Sequence, residues 1–183
     1  MILARFNEAL KKLASLGATV VESVDIPSQQ EWDAWHPRER SRALNAEFKA
    51  SINRWCASLV SNPQDIQNLD DLIDFVKSDP GEAFPQRNVE RLLAAQESPG
   101  IGAPVTQDAL KKMLRCCADE GILSALRRDD LDALVFPTEY CIPSTYAARA
   151  GFPVFAVPLG FYSEGTAVQK TKGDQIDVAP GIP

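Results

Sequence analysis

Histidine is almost missing from this sequence: His36 is the only one in 183 residues. A zinc site would therefore have to use all four cysteines, Cys56, Cys116, Cys117 and Cys141. Their spacing does not suit one, because Cys116 and Cys117 are adjacent and form neither a metal knuckle nor a Cys-x-x-Cys redox pair. We expect no metal, no cofactor, and reduced, mostly buried structural thiols, as in a cytoplasmic protein. No apolar run approaches the ~20 residues that a membrane helix needs. No charged segment followed by an apolar one opens the chain, so no signal peptide is expected. Lys and Arg are scattered among the acids, and the net charge is −6. Without a basic stripe to meet phosphates, nucleic acid is not an expected partner. Internal repeats and low-complexity tracts are lacking too.

What remains is an ordinary globular composition, 45% hydrophobic and 24% charged. The length suits one domain with a proper core. Leu3, Phe6, Leu10 and Leu13 recur at helical spacing, so Met1 to Leu16 reads as an amphipathic helix. Lys11 and Lys12 sit near its negative end, and Gly17 is its natural stop. Ala18 to Ile26 is rich in β-branched residues and closed by Pro27, as a strand would be.

Trp32, Trp35 and His36 fall in a loop from Ser28 to Pro37. A long helix is expected from Ser41 to Val60, with Leu44, Phe48, Ile52, Trp55 and Leu59 as its buried stripe. Asn68 is placed to cap a helix through Lys77, with Asp70 and Asp71 in the favoured first turn. A further short helix covers Asn88 to Gln96. The Pro/Gly-containing loop from Ser98 to Pro104 is a candidate hinge. Thr106 is expected to cap a helix reaching Leu126 that Gly121 weakens. Leu131 to Phe136, stopped by Pro137, reads as a strand buried on both faces. So does Pro153 to Pro158. The stretch between them is a loop with a helical turn near Tyr146, and the chain after Phe161 is irregular. The fold class is α/β: an incomplete mixed β-sheet flanked by several helices.

The order of these segments resembles the later part of the amidase-signature family. Leu16-Gly-Ala-Thr-Val-Val-Glu22 with Asp25-Ile-Pro27 is similar to a helix–strand unit of that family. Ala46-Glu-Phe-Lys49, Ile52-Asn-Arg54 and Asn68-Leu-Asp-Asp-Leu-Ile-Asp-Phe75 resemble the helical region of its fungal and plant branch. Leu131-Asp-Ala-Leu-Val-Phe-Pro-Thr138 looks like the strand leading into the pocket. Ala148-Arg-Ala-Gly-Phe-Pro-Val-Phe-Ala-Val-Pro-Leu-Gly-Phe161, then Gly165-Thr166, resembles the block after it. The resemblance runs collinearly over nearly the whole chain, so residues 1–183 read as a single partial amidase domain, its C-terminal portion.

The resemblance implies a hydrolase of carboxylic amides that uses a Ser nucleophile, a bridging Ser and a Lys base. A Gly/Ser-rich loop would supply the oxyanion donors. No Ser-Ser pair and no such loop occurs in these 183 residues. The resemblance places that machinery upstream, so no residue here inherits a catalytic role. The expected partners are a small-molecule amide in the full-length parent, and a complementary chain or a second copy for this piece.

Other candidates were weighed on their chemistry. Cys141 lies in a loop after a strand, but a thiol nucleophile needs a base, and nothing brings His36 to it. His36 reads as a hydrogen-bonded or solvated loop residue, and Trp32 and Trp35 as packing for a long connection. Asp70, Asp71 and Asp74 match no calcium loop. Lys77 and Ser78, adjacent at a helix end, point apart and form no dyad. The pocket candidates are Thr138, Glu139 and Tyr140, just past a buried strand, with Gly160 and Phe161 second on the same logic.

Overall fold

A computed structural model describes residues 2–137, 142–171 and 176–182. The chain is helix-rich and forms two compact units, one of Met1–Pro27 with Glu120–Pro183, the other of Ser28–Asp119.

The second unit is built on helices. These are α2 (Gln29–Ala34), α3 (Pro37–Arg40), α4 (Arg42–Ala57), α5 (Leu69–Ser78), α6 (Glu90–Gln96) and α7 (Pro104–Leu114). Helix α5 starts as its sequence predicts. The Asn68 side chain accepts hydrogen bonds from the backbone N–H groups of Asp70 and Asp71 at 2.8 and 3.2 Å, occupying two of the four donors that a helix start leaves open. Its apolar side then closes a core in which Leu69, Ile73, Val89 and Ala95 are buried, with Ile52, Leu72, Val76 and Leu92 packed around them. Helix α7 begins earlier than Thr106. Pro104 takes its first turn after Ala103, a position proline suits because its missing N–H is not needed there.

Helix α4 is rotated from its expected orientation, although Ile52 of the predicted stripe packs on the core. Leu44, Phe48 and Trp55 are exposed, and the inward side carries Ala43, Ala46 and Cys56 instead. Polar residues spaced four apart make the inward contacts. Asn45 donates to the Ala94 carbonyl at 3.5 Å and Lys49 to the Gln96 carbonyl at 2.6 Å, while Asn53 accepts from the Leu69 N–H at 2.9 Å. These bonds engage backbone groups at the end of α6 and the start of α5 that helices leave without partners. Small residues let the neighbouring helices come close.

The other unit contains α1 (Ile2–Ser15), α8 (Leu123–Arg128), α9 (Ile142–Ala150) and a small antiparallel sheet. Helix α1 ends at Gly17, whose φ is +99°. There the Ala18 N–H bonds the Leu13 carbonyl and the Gly17 N–H bonds the Ala14 carbonyl, the double bond pattern of a Schellman cap. A wider-wound π-type stretch, Arg115–Ile122, precedes α8 and breaks at Gly121, the position where the sequence predicts weakness. The sheet pairs β1 (Gln169–Lys170) with β2 (Ile176–Val178).

The three segments expected as strands, Ala18 to Ile26, Leu131 to Phe136 and Pro153 to Pro158, do not enter that sheet. Among the described residues they form no strand pairing. Ser23 interrupts the first with φ +62°. A strand is completed by its neighbour's hydrogen bonds, and no neighbouring segment is supplied to them here. The described sheet is thus two-stranded and antiparallel, and the mixed sheet expected from the sequence is not formed within it.

Candidate functional site

The pocket candidates sit at the ends of these unpaired segments. Thr138, Glu139 and Tyr140 lie outside the described residues, as does Cys141. Gly160 and Phe161 are described. Gly160 has φ +136°, a conformation that favours glycine, and an added Cβ there would meet nothing within 4 Å. Phe161 is 70% exposed. The next residue is tied by backbone bonds, since the Tyr162 N–H bonds the Ile182 carbonyl and the Gly181 N–H bonds the Tyr162 carbonyl. Phe161 is therefore held outward by a fixed backbone. Upstream of it Val154, Phe155 and Val157 are 59, 88 and 76% exposed, although alternate residues of a strand point to opposite faces. Both faces of this apolar segment are uncovered.

The tryptophans of the 28–40 region do pack inward, as the sequence suggests. Trp32 and Trp35 are both buried and meet edge to face at 5.9 Å between ring centroids. Arg40 lies 5.2 Å above Trp32 and the Lys112 ammonium 4.7 Å above Trp35, placing cations on the negative ring faces. Glu31 accepts from Arg115 at 2.5 Å and lies 3.5 Å from Lys112. The hydrogen bond from Arg115 is the largest cause holding its carboxyl below the ordinary value, ahead of the opposing effect of desolvation. A carboxylate kept ionised by two cations is a poor proton acceptor. The cluster therefore clamps α2 against α7 and offers no general base. Sequence reasoning missed it, because Glu31 and Arg115 are too far apart in the chain for any local spacing to join them.

The remaining candidates have local partners. His36 Nδ1 accepts from the Arg38 N–H at 3.3 Å and caps α3. The Ser78 hydroxyl donates to the Asp74 and Phe75 carbonyls, so it is tied to its own helix, away from any dyad with Lys77. Asp71 accepts from the Gln67 N–H at 2.8 Å, completing the cap of α5. Cys56, Cys116 and Cys117 are all buried. Among the described residues no cluster of His, Cys, Asp and Glu is suited to a metal ion, and no helix is long and apolar enough to cross a membrane.

The whole chain aligns with a protein of Arthroderma benhamiae that carries an amidase name, at 31% identity over 183 residues. A protein of Arabidopsis thaliana that also carries an amidase name matches 85% of the chain at 30% identity. The fold agrees. The peptide amidase of Stenotrophomonas maltophilia superposes on 81% of the chain with a TM-score of 0.65 and 26% identity. The peptide amidase PAM in complex with the competitive inhibitor chymostatin gives 0.65 and 27%. In sequence and in fold the chain is thus similar to a portion of amidases. It spans 30% of the length of each of these two curated amidases and 31% of the peptide amidase chain. No family model matches it.

Proposed function

We propose that these 183 residues are the later portion of an amidase-signature fold and take part in hydrolysing the C–N bond of carboxylic amides only when the rest of the fold is present. In this reading residues 1–183 are one partial domain, and the unpaired segments join a mixed sheet whose other strands lie outside the chain. The observation that carries the reading is the state of the Pro153 to Pro158 segment. Its sequence is that of a strand buried on both faces, yet Val154, Phe155 and Val157 are exposed. Exposed apolar surface and open strand edges mark a missing neighbour.

Thr138, Glu139, Tyr140, Gly160 and Phe161 would then line one wall of the amide pocket. Nucleophile and base would come from the other portion, because these residues include no Ser-Ser pair with a Lys base that matches the family pattern. The likeness to a peptide amidase makes peptidyl amides a natural part of any substrate panel. The purified chain is expected to hydrolyse neither aryl, aliphatic nor peptidyl amides. Turnover by the chain by itself, surviving removal of trace contaminants by a second purification, would overturn the reading.

A second reading, a non-catalytic module that binds a complementary amidase half in trans or associates with itself, is favoured by the same exposed surface. Light scattering discriminates. A strict monomer that binds no apolar dye would exclude it.

A further inference from the structure

We infer that the outward stripe of α4, formed by Leu44, Phe48 and Trp55, is a docking surface for the portion of the amidase fold outside these 183 residues. The inference rests on the proposed function and names a contact face that it does not require.

The geometry is that of an amphipathic helix facing two ways. Positions 44, 48 and 55 fall within about 40° of one another around a helix, so the three large apolar groups form one stripe. They are 53, 38 and 58% exposed. The opposite side is fully engaged by the bonds of Asn45, Lys49 and Asn53 and by the close packing of Ala43, Ala46 and Cys56. Helix α4 therefore cannot roll to bury the stripe without breaking contacts with α5 and α6. Isolated exposed apolar residues need no explanation, but a helical stripe containing Phe and Trp does.

The occupant follows from length. The curated relatives match the α4 region within chains about three times as long, so most of their fold lies outside the part seen here and is available to cover the stripe.

The probe is the unmatched remainder of the Arthroderma benhamiae amidase, expressed as a separate chain. With 5-fluorotryptophan in the 183-residue chain, ¹⁹F NMR separates Trp55 from the buried Trp32 and Trp35. On adding the unlabelled remainder, the Trp55 resonance is expected to shift and lose its H₂O/D₂O isotope effect, while those of Trp32 and Trp35 stay in place. The combined variant Leu44→Gln, Phe48→Glu, Trp55→Gln is expected to keep its far-ultraviolet spectrum. It should bind the remainder about 30-fold or more weakly, the loss that one aromatic hot spot causes. Equal binding by variant and wild type, a Trp55 signal that stays solvent-exposed in the complex, or unfolding of the variant would each overturn the inference. If the wild-type chain does not bind the remainder at all, the proposed function falls with it. Binding that is retained by the α4 variant but lost on Val154→Glu removes this inference alone.

Discussion

Ile73→Ala removes three carbons from a side chain that is 1% exposed and enclosed by Leu69, Val89 and Ala95. At ~0.8 kcal/mol per buried methylene the transfer loss is about 2.4 kcal/mol. Incomplete collapse of the surroundings raises the total to about 3–4 kcal/mol. The Ser28–Asp119 unit, at this size, has roughly 5–14 kcal/mol to lose, so the variant should still fold but unfold at a much lower urea concentration. Trp32, Trp35 and Trp55 all lie in that unit, which makes intrinsic fluorescence its reporter. The matched control is Phe155→Ala, an equally apolar truncation at an 88% exposed site, expected to change stability by under about 0.5 kcal/mol when followed by circular dichroism. If Ile73→Ala cost under about 1 kcal/mol, or if Phe155→Ala cost as much, the division into a packed helical unit and an uncovered apolar segment would be wrong.

Asn68→Ala, which frees the N–H groups of Asp70 and Asp71, should cost about 1 kcal/mol, and Asn68→Asp should restore most of it in the same urea titration. Gly17→Ala should cost about 1–2 kcal/mol through backbone strain at φ +99°, since no atom crowds the new methyl; an unchanged thermal midpoint would refute the cap assignment. Glu31 is held below its ordinary value near 4.5, so its contribution is present above that value and fades as pH falls through the lowered one. The group is 40% exposed, so Glu31→Gln should lose no more than about 1 kcal/mol at neutral pH. The difference from wild type should shrink with salt and vanish in acid; a difference that is constant with pH would show that Arg115 and Lys112 are not its cause.

Features set by neighbours in the chain were legible in the sequence. The Gly17 stop, the Asn68 cap, the break at Gly121 and the packing roles of Trp32 and Trp35 each follow from local backbone chemistry or side-chain size. Helix α4 was legible as a helix but misread in orientation. Hydrophobic periodicity identifies an apolar face, yet it does not say whether the covering surface belongs to the same 183 residues. Asn45, Lys49 and Asn53 held the contrary signal, a polar repeat of four aimed at open helix ends. Thr106 was misread because Pro104 takes the first turn of α7, which puts the cap at Ala103, three residues earlier. Leu131 to Phe136 and Pro153 to Pro158 have strand composition, but strand formation depends on partners far away in sequence. No catalytic role could be read for a different reason: chemistry resides in particular side chains, and the motif that the resemblance implies is not among these residues.

We propose that this chain is one part of an amidase fold whose other part carries the chemistry. The decisive measurement is to mix it with the remainder of the Arthroderma benhamiae protein and follow release of ammonia from a peptidyl amide. No turnover is expected from either piece separately, and turnover by the mixture should saturate as this chain is added. Turnover by the 183 residues unaided, or a remainder whose activity is independent of them, would contradict it.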